Sequence, residues 1–394
     1  MPPIRFIHAA DLHLDAAFSG LSRDIPADFA ERLRTATFTA FRRLLDLCER
    51  ESPDFLLLAG DVYNQEDASV SAQLALRDGF RRLESLSIPV FLVHGNHDPL
   101  ASRLRSVRWP GNVTVFGELP DAVPVFRKGE GTPLAIIHGA SHASGRETRN
   151  LAALFRRTEA CGLHVGLLHA TPGDADGVAR YAPFSQEDLK ASGMDYWALG
   201  HIHDRREVCR EPLAAYPGCT QGLHINEPGE KGCLLVTAEA RPDGGYAVRT
   251  SFRPLGPAVW KTLDMDLGGA ASLDELENRL RTGLDRAAAE VWSGCEMLLV
   301  RLRLQGRTEL DGLLRKGTTC AELADRLRED GNGVPRIWIK DIDVATRPCV
   351  ERGALLERED LLGEVFRLSE AARTAWSGCL EALLREWESA RAEN

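Results

Sequence analysis

From Ile4 to His203 the chain alternates short apolar runs with amphipathic stretches. Ile4–Asp11 (IRFIHAAD), Pro53–Asp61 (PDFLLLAGD) and Pro89–Asp98 (PVFLVHGNHD) each open on aliphatic and aromatic residues and close on polar ones. That is the pattern of a buried strand with a loop at its carboxyl end. Between the first two, Phe29, Leu33, Phe38, Phe41, Leu44, Leu45 and Cys48 recur at near three-four spacing and predict one helix from Asp28 to Glu51. A second helix is predicted from Ala68 to Leu86. A strand-helix-strand-helix-strand order implies a parallel sheet with right-handed crossovers.

The texture then shortens. Strands are predicted at Val113–Phe116, Leu134–Gly139, His164–Ala170, Asp195–His203, Ala214–Tyr216, Gly232–Thr237 and Tyr246–Phe252, with Gly- and Pro-rich turns between them. They read as a second sheet packed on the first, with helices outside. RPLGPAV (Arg253–Val259) marks a boundary. Beyond it the pattern is strand (Trp260–Met265), helix (Ser272–Val291), strand (Met297–Gln305), helix (Cys320–Glu329), strand (Ile337–Val344). In Met297–Gln305 the apolar Val300, Leu302 and Leu304 alternate with Arg301, Arg303 and Gln305, so one face is basic. The tail from Glu357 is helical, with Trp376, Leu380, Leu383, Leu384 and Trp387 in a stripe. The expected organisation is a main domain over 1–252, a linker over 253–259, a smaller α/β domain over 260–350 and a helical segment over 351–394.

Five of the apolar runs end in ligand-type residues: Asp11 and His13; Asp61; Asn96, His97 and Asp98; His169; His201 and His203. On an extended chain the two-residue period puts Asp11 and His13 on one side, and likewise His201 and His203. Imidazole combined with carboxylate oxygen suits a borderline-hard divalent cation, and the lack of cysteine disfavours a soft thiolate site. Two such sites sharing a carboxylate form a two-metal clamp, with ions about 3.5 to 4 Å apart, suited to in-line displacement at phosphorus. Spacing alone leaves open which of Asn96, His97 and Asp98 are ligands. For the remaining histidines packing is the default. His8 and His94 read as buried and hydrogen-bonded, His138 and His142 as loop packing or an approach to the site, and His164 as surface or strand start.

Composition narrows the class. At 394 residues, 44% apolar and 27% charged, the chain is globular and long enough for more than one domain. Nine scattered cysteines with no CxxC pair indicate neither a disulfide framework nor a zinc knuckle, and point to a reducing cytoplasm. No run reaches the roughly 18 to 20 apolar residues of a membrane span, and MPPIRFIHAAD has no signal-type region. A net charge of −10 argues against coating nucleic acid by bulk charge but leaves room for a local basic groove. Of the 48 basic residues 42 are Arg, which suits bidentate phosphate contacts, although codon bias gives the same preference. All 11 histidines lie between His8 and His224, so histidine chemistry belongs to the first domain.

The phrases HAADLHLDAAF, AGDVYNQEDASVSAQL, VHGNHDP and YPGCTQGLHINEPGEKGC resemble the calcineurin-like metallophosphoesterase superfamily, and within it the SbcD-like and YhaO-type DNA repair nucleases. The resemblance runs over residues 4 to 237. It implies an α/β fold, a two-sheet αββα metallophosphoesterase sandwich with a smaller C-terminal α/β cap domain and a helical tail. It implies two divalent metal ions per chain, usually Mn2+, with Fe, Mg or Zn also compatible with the ligands. One ion would be held by Asp11, His13, Asp61 and His203, the other by Asp61, Asn96, His169 and His201. His97 would then be no ligand but the general acid at the leaving oxygen, oriented by Asp98, with a two-metal-activated hydroxide as nucleophile. The implied partners are DNA, an SMC-like coiled-coil ATPase of the SbcC/YhaN type docked on the C-terminal helices, and a second copy of the chain, with no membrane. Candidate substrate contacts are Asn64, His224, Arg301 and Arg303. Asn64 departs from archaeal and eukaryotic relatives, which tend to carry His there, and this bears on exonuclease activity. Two alternatives stand beside the nuclease: a small-molecule or cyclic-nucleotide phosphodiesterase or phosphatase, and a catalytically weak scaffold for the ATPase. Against a Ser/Thr phosphatase, the residues after Asp61 (Val-Tyr-Asn-Gln-Glu) lack an arginine for the phosphoryl group.

Overall fold

The computed structural model describes residues 2–21, 25–64, 69–102, 107–174, 180–242, 244–329, 333–349 and 352–392. The N-terminal apolar runs form parallel strands β1 (Ile4–Ala9), β2 (Phe55–Ala59), β3 (Val90–Val93) and β4 (Val113–Val115). Four further strands follow: β5 (Asp121–Val125), β6 (Ala135–Ala140), β7 (Leu163–His169) and β8 (Tyr196–Gly200). After them come β9 (Arg206–Arg210), β10 (Leu213–Tyr216), β11 (Gly232–Ala240) and β12 (Tyr246–Pro254). One six-stranded sheet runs β12-β11-β1-β2-β3-β4 and the other β5-β6-β7-β8-β10-β9. β11 is antiparallel to β1 and closes the first sheet on that side.

Strand periodicity sorts the side chains into layers. Phe6, Phe55, Leu57 and Phe91 of the first sheet meet Ile137, Val165, Leu167 and Tyr196 of the second in a buried central core. The opposite face of the first sheet, with Ile7, Leu56, Leu58 and Leu92, packs on α1 (Ala27–Arg34), α2 (Ala36–Glu51) and α3 (Val70–Ser85) through Phe41, Leu44, Leu76 and Phe80. Trp197 and Leu199 on the outer face of the second sheet pack with Phe155 and with Leu189 of α4 (Gln186–Ala191). The result is the expected helix-sheet-sheet-helix layering. The single helix predicted over Asp28–Glu51 is broken at Thr35, whose amide bonds back to Glu31 and Leu33. Strand β5, strand β9 and helix α4 were not predicted. They are short, and Asp121–Val125 contains a proline that masks the strand pattern.

β13 (Ala258–Asp266), β14 (Met297–Gln305) and β16 (Arg336–Val344) form a three-stranded sheet, while β15 (Arg307–Thr308) pairs with β17 (Arg347–Pro348). The chain divides into two compact units: residues 1–263, 282–302 and 323–342 in one, and 264–281, 303–322 and 343–394 in the other. The division does not fall at the expected linker. Ala258, Trp260, Met297, Leu299 and Trp338 bury with Phe29 and Leu33 in one core of the first unit, and Leu255 within the linker stretch is 2% exposed. The remaining helices are α5 (Leu273–Glu290), α6 (Asp311–Leu314), α7 (Thr319–Glu329), α8 (Arg352–Leu356) and α9 (Leu361–Ala392). Of the predicted tail stripe, Trp376 is exposed, whereas the side chains of Leu380, Leu383, Leu384 and Trp387 lie outside the described residues. Among the described residues no helix is long and apolar enough to cross a membrane.

Candidate metal centre

The ligand-type residues converge at the carboxyl ends of β1, β2, β3, β7 and β8. They do so through left-handed backbone rather than extended strand. Asp11, His13, Asp61 and His201 have φ of 50°, 41°, 47° and 103°. Each such non-glycine residue costs about 1 to 3 kcal/mol and persists only where its surroundings hold it. Backbone amides supply that hold: Asp11 donates to the Gly60 carbonyl at 3.1 Å and His13 to the Asp61 carbonyl at 3.0 Å. The same-side argument for Asp11 and His13 therefore reaches the right pairing by the wrong geometry, because β1 ends at Ala9. His201 and His203 correct it further. They separate into different clusters, His201 with Asp61 and His169, and His203 with Asp11 and His13.

Asp61 stands between the two sets. Its Oδ1 accepts the His97 amide at 2.9 Å, while Oδ2 lies 3.3 Å from His169 Nε2 and 4.0 Å from His13 Nε2. Asn96 Oδ1 lies 3.0 Å from His169 Nε2 and 3.1 Å from His201 Nδ1. Asp11 accepts the His201 amide on both oxygens at 3.1 Å and lies 3.8 Å from His203 Nε2. Glycine makes this closeness possible. A β-carbon on Gly95 would stand 2.2 Å from Asp61 Oδ1 and 2.8 Å from His169 Nε2.

The donor chemistry fits cations. His169 Nδ1 donates to the Ala59 carbonyl at 2.9 Å, so in the neutral ring Nε2 carries a lone pair. That lone pair faces the lone pairs of Asp61 Oδ2 and Asn96 Oδ1. Likewise His203 Nδ1 donates to Glu227 Oε1 at 2.6 Å, which turns its Nε2 lone pair toward His13 Nε2, 3.1 Å away. Buried lone pairs that face one another require positive charge between them. The titration shifts express the same demand. Burial lowers the His169 pKa, but Asp61 outweighs it and raises the value to about 9. Burial would raise the Asp61 pKa, but His169 and His13 outweigh it and the net shift is downward. Burial raises Asp11 to about 6 and lowers His13 to about 3. Two cations, one among Asp11, His13, Asp61 and His203 and one among Asp61, Asn96, His169 and His201, would satisfy the set.

His97 is exposed beside His13, with ring centroids 5.2 Å apart. Its Nδ1 donates to the Asn64 carbonyl at 2.9 Å, so Nε2 is the nitrogen free to exchange a proton. Asp98 is not its orienter. The buried carboxylate accepts the Gly95 amide at 2.8 Å and the Val62 amide at 3.0 Å, and approaches His94 at 3.4 Å. Its role is to tie the loop after β3 to the loop after β2. Asn64 meets His97 through its backbone, which the sequence could not indicate, since any residue there offers a carbonyl.

The other candidates separate from the centre. Arg301 is bidentate on Asp341 at 2.6 and 2.9 Å, and Arg303 lies 3.4 Å from Asp343 and 3.7 Å from Asp264. Both basic side chains are thus matched by carboxylates on neighbouring strands. His224 accepts the Asn226 amide and belongs to neither cluster. His164 stands at the start of β7, as expected, but is fully buried and not at the surface: it donates to the Ala160 carbonyl and accepts from His138 at 2.9 Å. His142 donates to the His169 carbonyl at 2.6 Å and so supports a ligand from behind. Glu227 was missed, although it lies four residues before Lys231 in the quoted phrase QGLHINEPGEKG. Burial would raise the Glu227 pKa, yet His203 outweighs it and holds the value at about 2. A carboxylate behind a histidine ligand fixes its tautomer and raises its basicity. An acidic residue in a glycine-rich turn, 24 residues past the H-x-H pair, was the available signal.

A family model described as calcineurin-like phosphoesterase matches residues 4–205, and one described as metallophosphoesterase YhaO, middle domain, matches residues 260–347. The chain is 35% identical over 387 residues to an uncharacterized metallophosphoesterase, YhaO, of Bacillus subtilis, covering 97% of this chain and 90% of that one. It is 27% identical over 319 residues to the DNA double-strand break repair protein Mre11 of Aeropyrum pernix, covering 74% and 69%. It is 23% identical over 418 residues to the Mre11 of Methanopyrus kandleri, covering 92% and 85%.

Proposed function

Because the chain belongs to the calcineurin-like phosphoesterase family, we propose that it is a metal-dependent phosphodiesterase that cuts DNA. The observation that carries this reading is Asp61. One carboxylate oxygen faces a histidine of each cluster, as hydrolysis of a phosphodiester by paired cations requires. The DNA substrate is supported by the names of the Mre11 relatives. Divalent ions held by these two sets would supply positive charge to the phosphoryl group and lower the pKa of a water.

The chain's own residues do the rest. Asp61 is held in register by the His97 amide, and Asp11 by the His201 amide. Glu227 and the Ala59 carbonyl fix the tautomers of His203 and His169 so that Nε2 points inward in both. His97, with Nδ1 held by Asn64, presents Nε2 on the open side of the site and delivers a proton to the leaving oxygen. The test is manganese-dependent hydrolysis of end-labelled duplex DNA. Asp61→Ala is expected to abolish cleavage, and His97→Ala to lower kcat by about 10²- to 10⁴-fold, the usual worth of a general acid, with bound metal retained. Equal activity in wild type and both variants overturns the mechanism. Turnover of cyclic nucleotides with no cleavage of any DNA moves the substrate to the small-molecule class.

A further inference from the structure

Beside the metal centre lies a pair of arginines without an acid partner. Arg205 and Arg206 follow directly on Gly200-His201-Ile202-His203-Asp204 and are exposed. The Arg205 guanidinium sits 4.0 Å over the ring of Phe252, and that of Arg206 lies 5.6 Å from the ring centre of Tyr216. Among the described residues neither makes a side-chain hydrogen bond or ion pair, whereas Arg301, Arg127 and Arg149 are all tied to carboxylates. Of the two acids that flank the pair in sequence, Asp204 is taken by the buried Lys231 at 2.9 Å. Tyr216 is itself fixed, donating its hydroxyl to the Ala170 carbonyl at 2.7 Å. The two arginines, the two rings, Thr250 and Glu207 line a cavity of about 290 Å³. Glu207 makes no ion pair with either arginine.

A guanidinium held over an aromatic ring without an acid partner keeps its N–H fork available to grip a phosphate. The fold puts this fork at the working end of the sandwich. β10 runs parallel to β8, and Tyr216 pairs with Arg206. Phe252 pairs with Leu234, which pairs with His8, three residues before Asp11. Two strand spacings across and at most three residues along place the Phe252 backbone within roughly 14 Å of Asp11, because the chain leaves the strand after Ala9. At about 3.4 Å per nucleotide of one strand, that is roughly four nucleotides.

We propose that Arg205 and Arg206, laid on Phe252 and Tyr216, form a phosphate-binding platform that grips the backbone of one nucleic-acid strand several nucleotides from the bond being cut. This rests on the DNA reading of the site and adds a reason for preferring a polymer to a small diester. The arginines touch no reacting atom and act on substrate affinity.

The test uses the full chain and fluorescently labelled oligothymidylates of increasing length, read by anisotropy across a salt series and by cleavage with manganese. Arg205→Ala/Arg206→Ala is expected to weaken binding of long oligonucleotides about tenfold and to flatten the logarithmic salt slope by about 1.4, at about 0.7 per phosphate contact on a single strand. The loss is expected to shrink toward the dinucleotide, which cannot reach both sites. Arg205→Lys/Arg206→Lys, which keeps charge but loses the planar fork, is expected to fall between. Thr250→Glu, which puts a carboxylate into the cavity and leaves both arginines in place, is expected to weaken long-strand binding as well. Wild-type affinity and slope in the double alanine variant, with DNA still cleaved, overturn the platform alone. A wild-type chain that binds no oligonucleotide overturns the platform together with the nuclease reading.

Discussion

Asp11, His13, Asp61 and His201 share two properties, ligand chemistry and a positive φ, and the second follows from the first. A strand would carry each side chain past the site, so the backbone must turn back within one residue, at a cost in steric strain met by neighbouring amides. Asp98 serves this strain as well, since its two oxygens bind amides of two different loops. Glu227 acts one step behind His203. Glu227→Gln keeps a hydrogen-bond acceptor but loses the charge that makes the imidazole basic, and is expected to lower affinity for one of two metal ions by about 10- to 100-fold. Metal stoichiometry and calorimetric titration read this directly, with thermal melting as the check on folding. Unchanged binding of both ions would remove Glu227 from the site.

At the level of elements, the site is a set of loops carried on a rigid double sheet. Parallel strands β1, β2 and β3 deliver Asp11, Asp61 and Asn96 from adjacent positions about 4.8 Å apart, and β7 and β8 deliver the histidines from the facing sheet. The helical tail carries none of these residues. Its described part exposes Leu361, Val365, Leu368 and Trp376, spaced along one face. An apolar face of that kind on an exposed helix fits a helical partner, and we propose as that partner the coiled-coil ATPase implied by the sequence resemblance. Val365→Glu/Leu368→Glu is expected to abolish co-elution with such an ATPase in size-exclusion chromatography while the melting temperature holds. Retained assembly would free α9 from that role.

For the whole molecule, buried neutral histidines set the acid limit. His8 accepts from the Tyr196 hydroxyl and donates to the Leu199 carbonyl, a fully satisfied neutral ring, and burial lowers its pKa to about 3. Burial, then His164, lowers His138 to about 4. Because the folded values lie below the unfolded one near 6.5, the stabilisation is complete above that pH and is lost as pH falls toward 4 and 3. The expected slope is up to about 1.4 kcal/mol per pH unit for each histidine. Denaturant midpoints measured between pH 7 and pH 4 check this. His8→Gln/His138→Gln is expected to flatten the decline, and an unaltered slope would show that other groups govern it.

The sequence by itself determined the layers and which ligand-type residues close the apolar runs. Apolar runs of strand length can bury only in sheets, three-four periodicity can bury only as helices, and polar residues at the ends of such runs must gather at one edge of the sheets. The gathering of Asp11, His13, Asp61, Asn96, His169, His201 and His203 was legible for that reason. Tertiary structure decided what depends on residues far apart in the chain. Backbone carbonyls and amides carry no side-chain signature, so the Asn64 hold on His97 and the loop-tying role of Asp98 were invisible in sequence. The pairing of Arg301 and Arg303 with acids was equally hidden, since charge neutralisation depends on which strands lie side by side. Arg205 and Arg206 looked like two more arginines among 42 until the fold set them on aromatic rings beside the metal centre.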